Sequence, residues 1–223
     1  MEITPVATIY TPYTTKFGIP RQSGLLEGES CIVFEKAFRS PESVRGLDGF
    51  SHVWLLWGFS EAAYVPGTLT VRPPRLGGNR RVGVFASRSP YRPNSMGLSC
   101  VKLLRVDLAC PDAPVLYVDG ADMLSGTPIY DIKPYLSFTD CVPDAVNGYA
   151  EAVRDQNVSV RFSCDVSALE DDAQKKLAAL LANDPRPHYQ NDPQRVYAFE
   201  FDGLHVEFTQ EDGSITVRRV TAV

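Results

Sequence analysis

Residues 50–59 read Phe-Ser-His-Val-Trp-Leu-Leu-Trp-Gly-Phe, an aromatic and aliphatic run with a glycine near its end. A short apolar run of this kind predicts a strand buried in the middle of a sheet. A histidine inside such a run is more often a hydrogen-bonded core residue than a catalyst. The run therefore predicts a central strand, with His52 in the core.

The chain on either side of this run is rich in further short strands. Branched and aromatic residues, interrupted by Pro, Gly and Ser, recur at Val6–Tyr10, Cys31–Phe34, Val82–Phe85, Leu98–Val106 and Val115–Val118. Many short strands with almost no helical periodicity favour a barrel or a sandwich. One short helix is expected after Ser40, because Pro41 suits the first helical position and Glu42 the first turn.

The pattern changes near residue 144. A helix is predicted at Asp144–Arg154 and a strand at Val158–Phe162. The clearest helix covers Ser167–Ala182, where apolar residues recur at intervals of three and four. Ser167 and Glu170 form a capping-box pattern at its start. The helical content of this segment separates it from the strands before it.

Three strands follow this helix. Tyr and Phe alternate with polar residues over 197–201, and the Asp-Gly pairs at 202–203 and 212–213 are typical of hairpin turns. The chain therefore divides into a mainly β domain, residues 1–144, and a smaller α+β domain, residues 145–223.

Composition excludes several classes of protein. The 223 residues carry a net charge of −5 and are 44% hydrophobic, which is ordinary for a folded globular chain. No apolar run approaches the length of a membrane-spanning helix, and the N-terminus lacks the pattern of a signal peptide. Five scattered cysteines without a C-x-x-C motif indicate free thiols in the cytoplasm. With only three scattered histidines, no metal site is predicted.

The charge is distributed unevenly. Residues 72–105 contain eight Lys and Arg and no Asp or Glu, so this basic island has a charge of +8 and the rest of the chain −13. The planar guanidinium of arginine presents N–H donors that match the oxygens of a phosphate or a carboxylate, so the island suits an anionic ligand. Arginines that pair with carboxylates elsewhere in the chain explain the composition equally well.

Three turn-rich segments carry further polar residues. Ser125–Tyr135 begins with a tight Ser-Gly-Thr-Pro turn, and its Asp131 and Lys133 would share a face of a strand. Phe17–Gly24 contains Arg21. Residues 184–189 read Asp-Pro-Arg-Pro-His-Tyr, in which two prolines hold Arg186 and Tyr189 in an extended segment suited to a nucleotide. The usual nucleotide, hydrolase and zinc-protease fingerprints are absent.

Taken in order, these motifs resemble those of the β-barrel tRNA methyltransferases of the TsaA/TrmO type. The resemblance rests on Pro20-Arg-Gln22, Val44-Arg-Gly-Leu47, Phe50-Ser-His-Val-Trp54, residues 70–79 (Thr-Val-Arg-Pro-Pro-Arg-Leu-Gly-Gly-Asn), Gly83-Val-Phe-Ala86, Arg88, Arg92-Pro-Asn94, Ser125-Gly-Thr-Pro128, Asp131-Ile-Lys-Pro-Tyr135 and Asp184-Pro-Arg-Pro187. This family methylates N6 of N6-threonylcarbamoyladenosine at tRNA position 37, with S-adenosylmethionine (SAM) as the methyl donor. The resemblance implies a SAM-binding β-barrel, a smaller C-terminal domain that engages the tRNA anticodon loop, and a cytoplasmic homodimer.

The resemblance also implies roles for individual residues. SAM contacts carried over by motif and spacing are Pro20, Arg21, Gln22, Phe59, Ser60, Arg88, Leu98, Ser125, Gly126, Thr127 and Pro128. The candidates for tRNA contact are Arg72, Arg75, Arg80, Arg81, Arg92, Arg186 and Tyr189. The chain departs from the family pattern at three serines: Ser125 replaces Asp, Ser87 replaces Thr and Ser95 replaces Pro.

The chemistry leaves the proton acceptor open. A ureido-like nitrogen is a poor nucleophile, so a general base would help, and Asp131 and Tyr189 are the two candidates. Proton loss after methyl transfer would need no strong base. Two other functions fit the residues: an RNA-binding module without catalysis, and a SAM-dependent enzyme acting on a small anionic metabolite.

Overall fold

The computed structural model describes residues 2–62, 64–76, 80–154, 157–167, 169–186, 192 and 194–223. Six strands of the first half form a closed barrel in the order β1-β2-β7-β6-β3-β8, and β4 and β5 form a separate two-stranded hairpin. The eight strands are β1 Ala7–Tyr10, β2 Glu29–Phe34, β3 His52–Gly58, β4 Thr70–Val71, β5 Val82–Gly83, β6 Met96–Asp107, β7 Val115–Asp119 and β8 Thr127–Pro134. The predicted barrel is confirmed.

Strand β3 is central, as predicted, and pairs antiparallel with both β6 and β8. Its side chains alternate: Val53, Leu55 and Trp57 are buried in the barrel core, and the residues between them are only half-buried. His52 belongs to the second set, and its ring shares a 2.9 Å hydrogen bond with Ser51 Oγ. The prediction of a core histidine is therefore wrong, because the alternation turns His52 outward.

Strand β8 closes the barrel, and the sequence predicted only a turn-rich segment there. It pairs with β1 on one side and β3 on the other. Lys133 Nζ lies 3.1 Å from Asp131 Oδ2, so these two residues share a face, as a strand requires. Conversely, the strand predicted at Val82–Phe85 ends at Gly83, and a 3-10 turn follows at Val84–Ala86.

Short helical turns occupy several connections. The turn at Pro41–Val44 begins as predicted, and Ser40 Oγ accepts a hydrogen bond from the Glu42 N–H. The helix predicted at Asp144–Arg154 is a 3-10 turn at Gly148–Val153 instead. The remaining turns are the 3-10 segments Lys36–Phe38, Leu47–Gly49 and Pro74–Leu76 and the one-turn helix α1, Ser137–Asp140.

The C-terminal part is a four-stranded sheet with one helix. Its elements are β9 Ser159–Phe162, α2 Asp171–Ala182, β10 Tyr197–Phe201, β11 Leu204–Glu211 and β12 Ser214–Ala222. The strand order is β10-β11-β12-β9, and only the β12–β9 pair is parallel. Both predicted hairpins are confirmed: Asp202 and Gly203 have φ of 50° and 74°, and Asp212 and Gly213 have 47° and 74°.

Helix α2 begins four residues later than predicted. Its N-cap is Glu170, which makes no side-chain capping bond, and Ser167 donates its N–H to Asp165 Oδ1. The capping box is therefore wrong. The apolar face is confirmed, since Leu177, Leu180 and Leu181 are buried in the second core.

The loop between β1 and β2 joins the two cores. Its Tyr13 and Leu26 are buried with the α2 and β10–β12 side chains, and Phe17 stacks on Tyr197 at a centroid distance of 6.2 Å. Gly18 has a φ of +96°, and a Cβ there would lie 2.6 Å from the Phe199 ring. A glycine is needed for both reasons.

The predicted boundary between residues 144 and 145 falls in the connection between β8 and β9, and it stays a prediction. Within the part of the chain that the structure describes, no helix is long and apolar enough to span a bilayer.

Candidate functional site

A cavity of about 900 Å³ opens at one end of the barrel. Four stretches of chain line it: the loop around Pro20–Gln22, the end of β3 with the residues after it, residues 85–99, and the connection from Asp122 to Thr127. Because β3 is antiparallel to both neighbours, its last residues lie beside the first residues of β6 and β8. Segments distant in sequence therefore meet at one end of the barrel.

An aromatic pair forms part of the cavity wall. Trp57 and Phe59 pack edge to face with ring centroids 4.3 Å apart. Gly97 pairs with Trp57 across the sheet, and a Cβ on Gly97 would lie 2.3 Å from the indole ring. Glycine at position 97 therefore lets the indole lie flat on the neighbouring strand.

A buried carboxylate also lines the cavity. Asp122 Oδ1 accepts a 2.5 Å hydrogen bond from Ser99 Oγ, which in turn lies 2.9 Å from Trp57 Nε1. Burial raises the pKa of Asp122, and the Ser99 hydroxyl, nearby backbone N–H groups and the charge of Arg88 partly oppose this shift.

Arg88 brings positive charge to the same cavity. Its guanidinium donates a hydrogen bond to the Gln22 side chain, which joins the basic island to the loop between β1 and β2. Lys16, Arg21 and Arg92 are further cations in the lining, and Lys16 pairs with Glu61 at 3.3 Å. The cavity therefore combines an apolar wall with charges of both signs, which is the usual composition of a site for a polar cofactor.

The C-terminal part of the chain is tied to this wall through Asp184. Arg21 donates a hydrogen bond to the Asp184 carbonyl, and Arg186 makes a bidentate pair with the Asp184 carboxylate at 2.8 and 2.9 Å. Asp184 and Arg186 are only 2% and 5% exposed. This motif is thus an internal anchor for the cavity loop.

Two family models match the chain. The tRNA-methyltransferase O N-terminal domain matches residues 8–141, and the TrmO C-terminal domain matches residues 155–223. The chain belongs to the TrmO family.

Individual relatives agree with this assignment. The tRNA (adenine(37)-N6)-methyltransferase of Escherichia coli is 37% identical over 95% of this chain and 94% of its own length. A Pseudomonas aeruginosa protein whose name refers to S-adenosylmethionine-dependent methyltransferase activity is 38% identical over 92% of this chain and 91% of its own. The crystal structure of TrmO from P. aeruginosa superimposes with a TM-score of 0.79, at 30% identity, over 100% of this chain and 97% of that one.

Most of the cofactor contacts predicted from the TrmO motifs lie together in the cavity wall. Those that line it are Pro20, Arg21, Gln22, Phe59, Ser60, Arg88, Leu98 and Thr127. The other three, Ser125, Gly126 and Pro128, are not part of the lining. Ser125 Oγ accepts from the Thr11 N–H at 3.2 Å, and Gly126 donates to the Ile9 carbonyl at 2.8 Å, so this turn fastens β8 to the end of β1.

Several lining residues were not predicted from the sequence. The most informative are Asp122, Ser99 and Trp57, which are linked by hydrogen bonds. Asp122 stands three residues before the Ser-Gly-Thr-Pro turn, in the largely apolar stretch 115–124. A carboxylate between the apolar residues Ala121 and Met123 is the signal that could have found it.

Of the two candidates for the general base, the structure describes only Asp131. Asp131 is not in the cavity lining; one oxygen accepts from the Ile132 N–H at 2.9 Å, and the other pairs with Lys133. Tyr189 lies outside the described residues.

The candidates for tRNA contact separate into groups. Arg72, Arg80 and Arg81 are exposed beside the β4–β5 hairpin, and Arg81 donates to Thr70 Oγ1 at 2.7 Å. Arg92 is half-buried in the cavity wall. The side chain of Arg75, like the whole of Tyr189, lies outside the described residues.

Arg186 does not fit the predicted role in phosphate binding. Its guanidinium is buried and engaged by Asp184, so the geometry corrects this expectation in favour of a structural role. Among the described residues, no group of three or more His, Cys, Asp or Glu could hold a metal ion.

Proposed function

We propose that this TrmO-family protein transfers a methyl group from SAM to N6 of N6-threonylcarbamoyladenosine at position 37 of tRNA. The observation that carries the proposal is the cavity at the barrel end, with arginines of the basic island on its rim. The names of the relatives support tRNA, adenine 37 and SAM. The threonylcarbamoyl group comes from the motif resemblance alone.

The residues present fit SAM. The cavity volume of about 900 Å³ is at the upper end of the range for ligand sites, roughly 300–1,000 Å³, so a cofactor and part of a substrate can share it. Trp57, Phe59 and Leu98 offer apolar surface to an adenine ring. The guanidinium groups of Arg21 and Arg88 can donate paired hydrogen bonds to a carboxylate. When bound, SAM supplies an electrophilic methyl group on a sulfonium that leaves as a neutral thioether.

The contribution of the protein is positioning. An in-line displacement depends on holding donor and acceptor in one orientation, and well-oriented groups gain effective molarities of roughly 10⁵ M or more. The wall formed by β3, β6 and β8 is a rigid support for such a site, and the aromatic pair excludes water from one side.

No strong general base is required in this proposal. Asp131 is already held by Lys133 and is not part of the cavity lining, so in this proposal the N6 proton passes to solvent after transfer. Tyr189 remains a candidate from the sequence. It is tested by replacement with Phe, which removes only the hydroxyl.

The tRNA is proposed to bind across the rim of the cavity. Arg72, Arg80 and Arg81 are exposed, and Arg92 reaches the lining. Phosphate contacts from such residues orient an RNA without reading its sequence. The strongly acidic remainder of the chain disfavours other docking faces. Residues 145–223 are proposed to engage the anticodon loop from the other side.

A homodimer in the cytoplasm completes the proposal. Large exposed apolar side chains outside the cavity lining include Leu104, Leu108 and Phe138, the last of which is 82% exposed. Exposed apolar surface of this kind is common at subunit interfaces. All five cysteines are free, which suits a reducing compartment. Sedimentation velocity at micromolar concentration tests the dimer, and a monomer at every concentration would contradict it.

Nucleoside mass spectrometry tests the proposed reaction. The protein is incubated with SAM and with matched tRNAs that carry either N6-threonylcarbamoyladenosine or plain adenosine at position 37. The expected product is the singly methylated modified nucleoside, formed only with the first tRNA. Methylation of plain adenosine would overturn the proposed substrate. Binding of tRNA without any SAM affinity would indicate a non-catalytic RNA-binding module.

Salt dependence separates tRNA from a small anionic substrate. Binding that releases counterions from several phosphates weakens steeply as salt rises. The slope of the logarithm of the binding constant against the logarithm of the salt concentration counts these contacts. We expect R72A and R80A each to reduce that slope by about one phosphate contact. R45A removes an equally exposed arginine outside the island and should leave the slope unchanged. A slope that is flat in the wild type would contradict the RNA interface.

A further inference from the structure

Three side chains at the barrel end form a directional hydrogen-bond chain. Trp57 Nε1 lies 2.9 Å from Ser99 Oγ, and Ser99 Oγ lies 2.5 Å from Asp122 Oδ1. An indole N–H can only donate, so the Ser99 oxygen accepts from it and the Ser99 hydrogen points to the carboxylate. These hydrogen bonds therefore use Asp122 Oδ1 as an acceptor, a role that the ionised carboxylate fills with either oxygen.

The charge of Asp122 has little compensation in the protein. Among the described residues, no Lys, Arg or His lies within the 4.0 Å of an ion pair with it, although buried charges are normally paired. The cation that acts on it is Arg88, whose guanidinium also engages Gln22. Burial raises the pKa of Tyr13, and the charge of Asp122 raises it further, so that phenol stays neutral.

One oxygen of this carboxylate accepts from the Ser99 hydroxyl, and the backbone N–H groups of Asp122 and Ser23 lower its pKa, so it is already surrounded by donors. An ammonium, which needs several acceptors of its own, would compete with these donors. A cation without N–H groups needs only the negative charge. The faces of Trp57 and Phe59 in the same wall also attract such a cation.

We propose that Asp122 is the counter-charge for the sulfonium of the methyl donor, held in place by Ser99 and Trp57 as positioning residues. This inference rests on the proposed function. After transfer the sulfonium has become a neutral thioether, so Asp122 favours the donor over the product S-adenosylhomocysteine (SAH). The hydrogen-bond chain thus sets the charge selectivity of the site and promotes release of the product.

Calorimetric titration with SAM and with SAH tests the inference. We expect D122N to weaken SAM binding roughly tenfold or more, since it removes one partner of a desolvated charge pair, and to change SAH binding far less. S99A should shift the SAM-to-SAH ratio in the same direction by a smaller factor. The matched control is S30A, because Ser30 is also a buried barrel serine, and its hydroxyl has no partner among the described residues.

The outcomes are separable. Equal losses of SAM and SAH affinity would mean that Asp122 pairs with a group common to both ligands, and would overturn the proposal. Unchanged affinities would also overturn it. If the wild type binds neither ligand, the proposed function itself fails.

A second measurement uses the wild type and so avoids misfolded variants. Because burial raises the pKa of Asp122, its charge is lost on acidification at a pH above the usual range for aspartate. The SAM-to-SAH affinity ratio should fall with it. Lys16, Arg21, Glu61 and Arg92 also line the cavity, so the same pH series on D122N, which keeps all four residues, is the control for their contribution to the ratio. A ratio independent of pH over this range would contradict the inference.

Discussion

Replacing Arg186 by alanine separates an internal anchor from a tRNA contact. The guanidinium makes two hydrogen bonds of 2.8 and 2.9 Å to the Asp184 carboxylate, and both residues are almost completely buried. R186A removes both of these hydrogen bonds from a buried carboxylate. Breaking one side of a buried ion pair costs about 3–5 kcal/mol. For a chain of this length, the melting temperature should fall by roughly 6–20 °C.

The assay pairs a thermal melt with tRNA filter binding. A double variant, D184A with R186M, leaves no buried charge and should recover much of the loss in melting temperature. R72A, which removes an exposed arginine of the basic island, should weaken tRNA binding without lowering the melting temperature. The reasoning is refuted if R186A melts within a degree or two of the wild type while its tRNA affinity falls. That result would place the guanidinium on the RNA.

Three further changes probe other parts of the account. D131N should keep the single-turnover methylation rate within about tenfold of the wild type. A general base would contribute roughly 10²–10⁴-fold to that rate, so a loss larger than about tenfold would identify Asp131 as the base. S95P should destabilise the fold by more than about 1 kcal/mol, because position 95 has a φ of 46° and its N–H is hydrogen-bonded. S95G should be tolerated, and equal melting temperatures for S95P and S95G would contradict this. G97A should displace the Trp57 ring and lower the free energy of unfolding by about 1–3 kcal/mol, while G83A, with open space around its Cβ position, should be neutral in the same denaturant titration.

The elements with strong local patterns were predictable. The run at 50–59 is a central strand, and both Asp-Gly pairs form turns with positive φ at each residue. In these places the local preference and the tertiary structure agree. The outward-facing, half-buried position of His52 follows from strand alternation, which the continuous apolar run concealed.

Elements that depend on distant partners were missed. Strand β8 contains two prolines and follows a tight turn, so its sequence resembles a loop; pairing with both β1 and β3 makes it a strand. The start of α2 was misplaced because Ser167 and Glu170 match a capping box that the chain does not form. Local motifs of this strength are overridden by packing.

The candidate site was predictable only in part, because some of its residues gain their roles from distant parts of the chain. Motif residues such as Arg21, Gln22 and Arg88 meet in one cavity, as the resemblance implied. Asp122, in the connection between β7 and β8, gains its significance only from Ser99 on β6 and Trp57 on β3. Likewise, nothing local distinguishes Arg186 as an internal anchor from an arginine that binds phosphate. These roles depend on burial, which is a property of the fold.

The most direct test follows a labelled methyl group. SAM carrying a deuterated methyl group is incubated with the protein and a tRNA that contains N6-threonylcarbamoyladenosine at position 37, and the tRNA is digested for nucleoside mass spectrometry. The account predicts that the label appears on N6 of that nucleoside, and that D122N slows its appearance at limiting SAM. Label found on another nucleoside, or no label with the wild type despite SAM binding, would contradict the account.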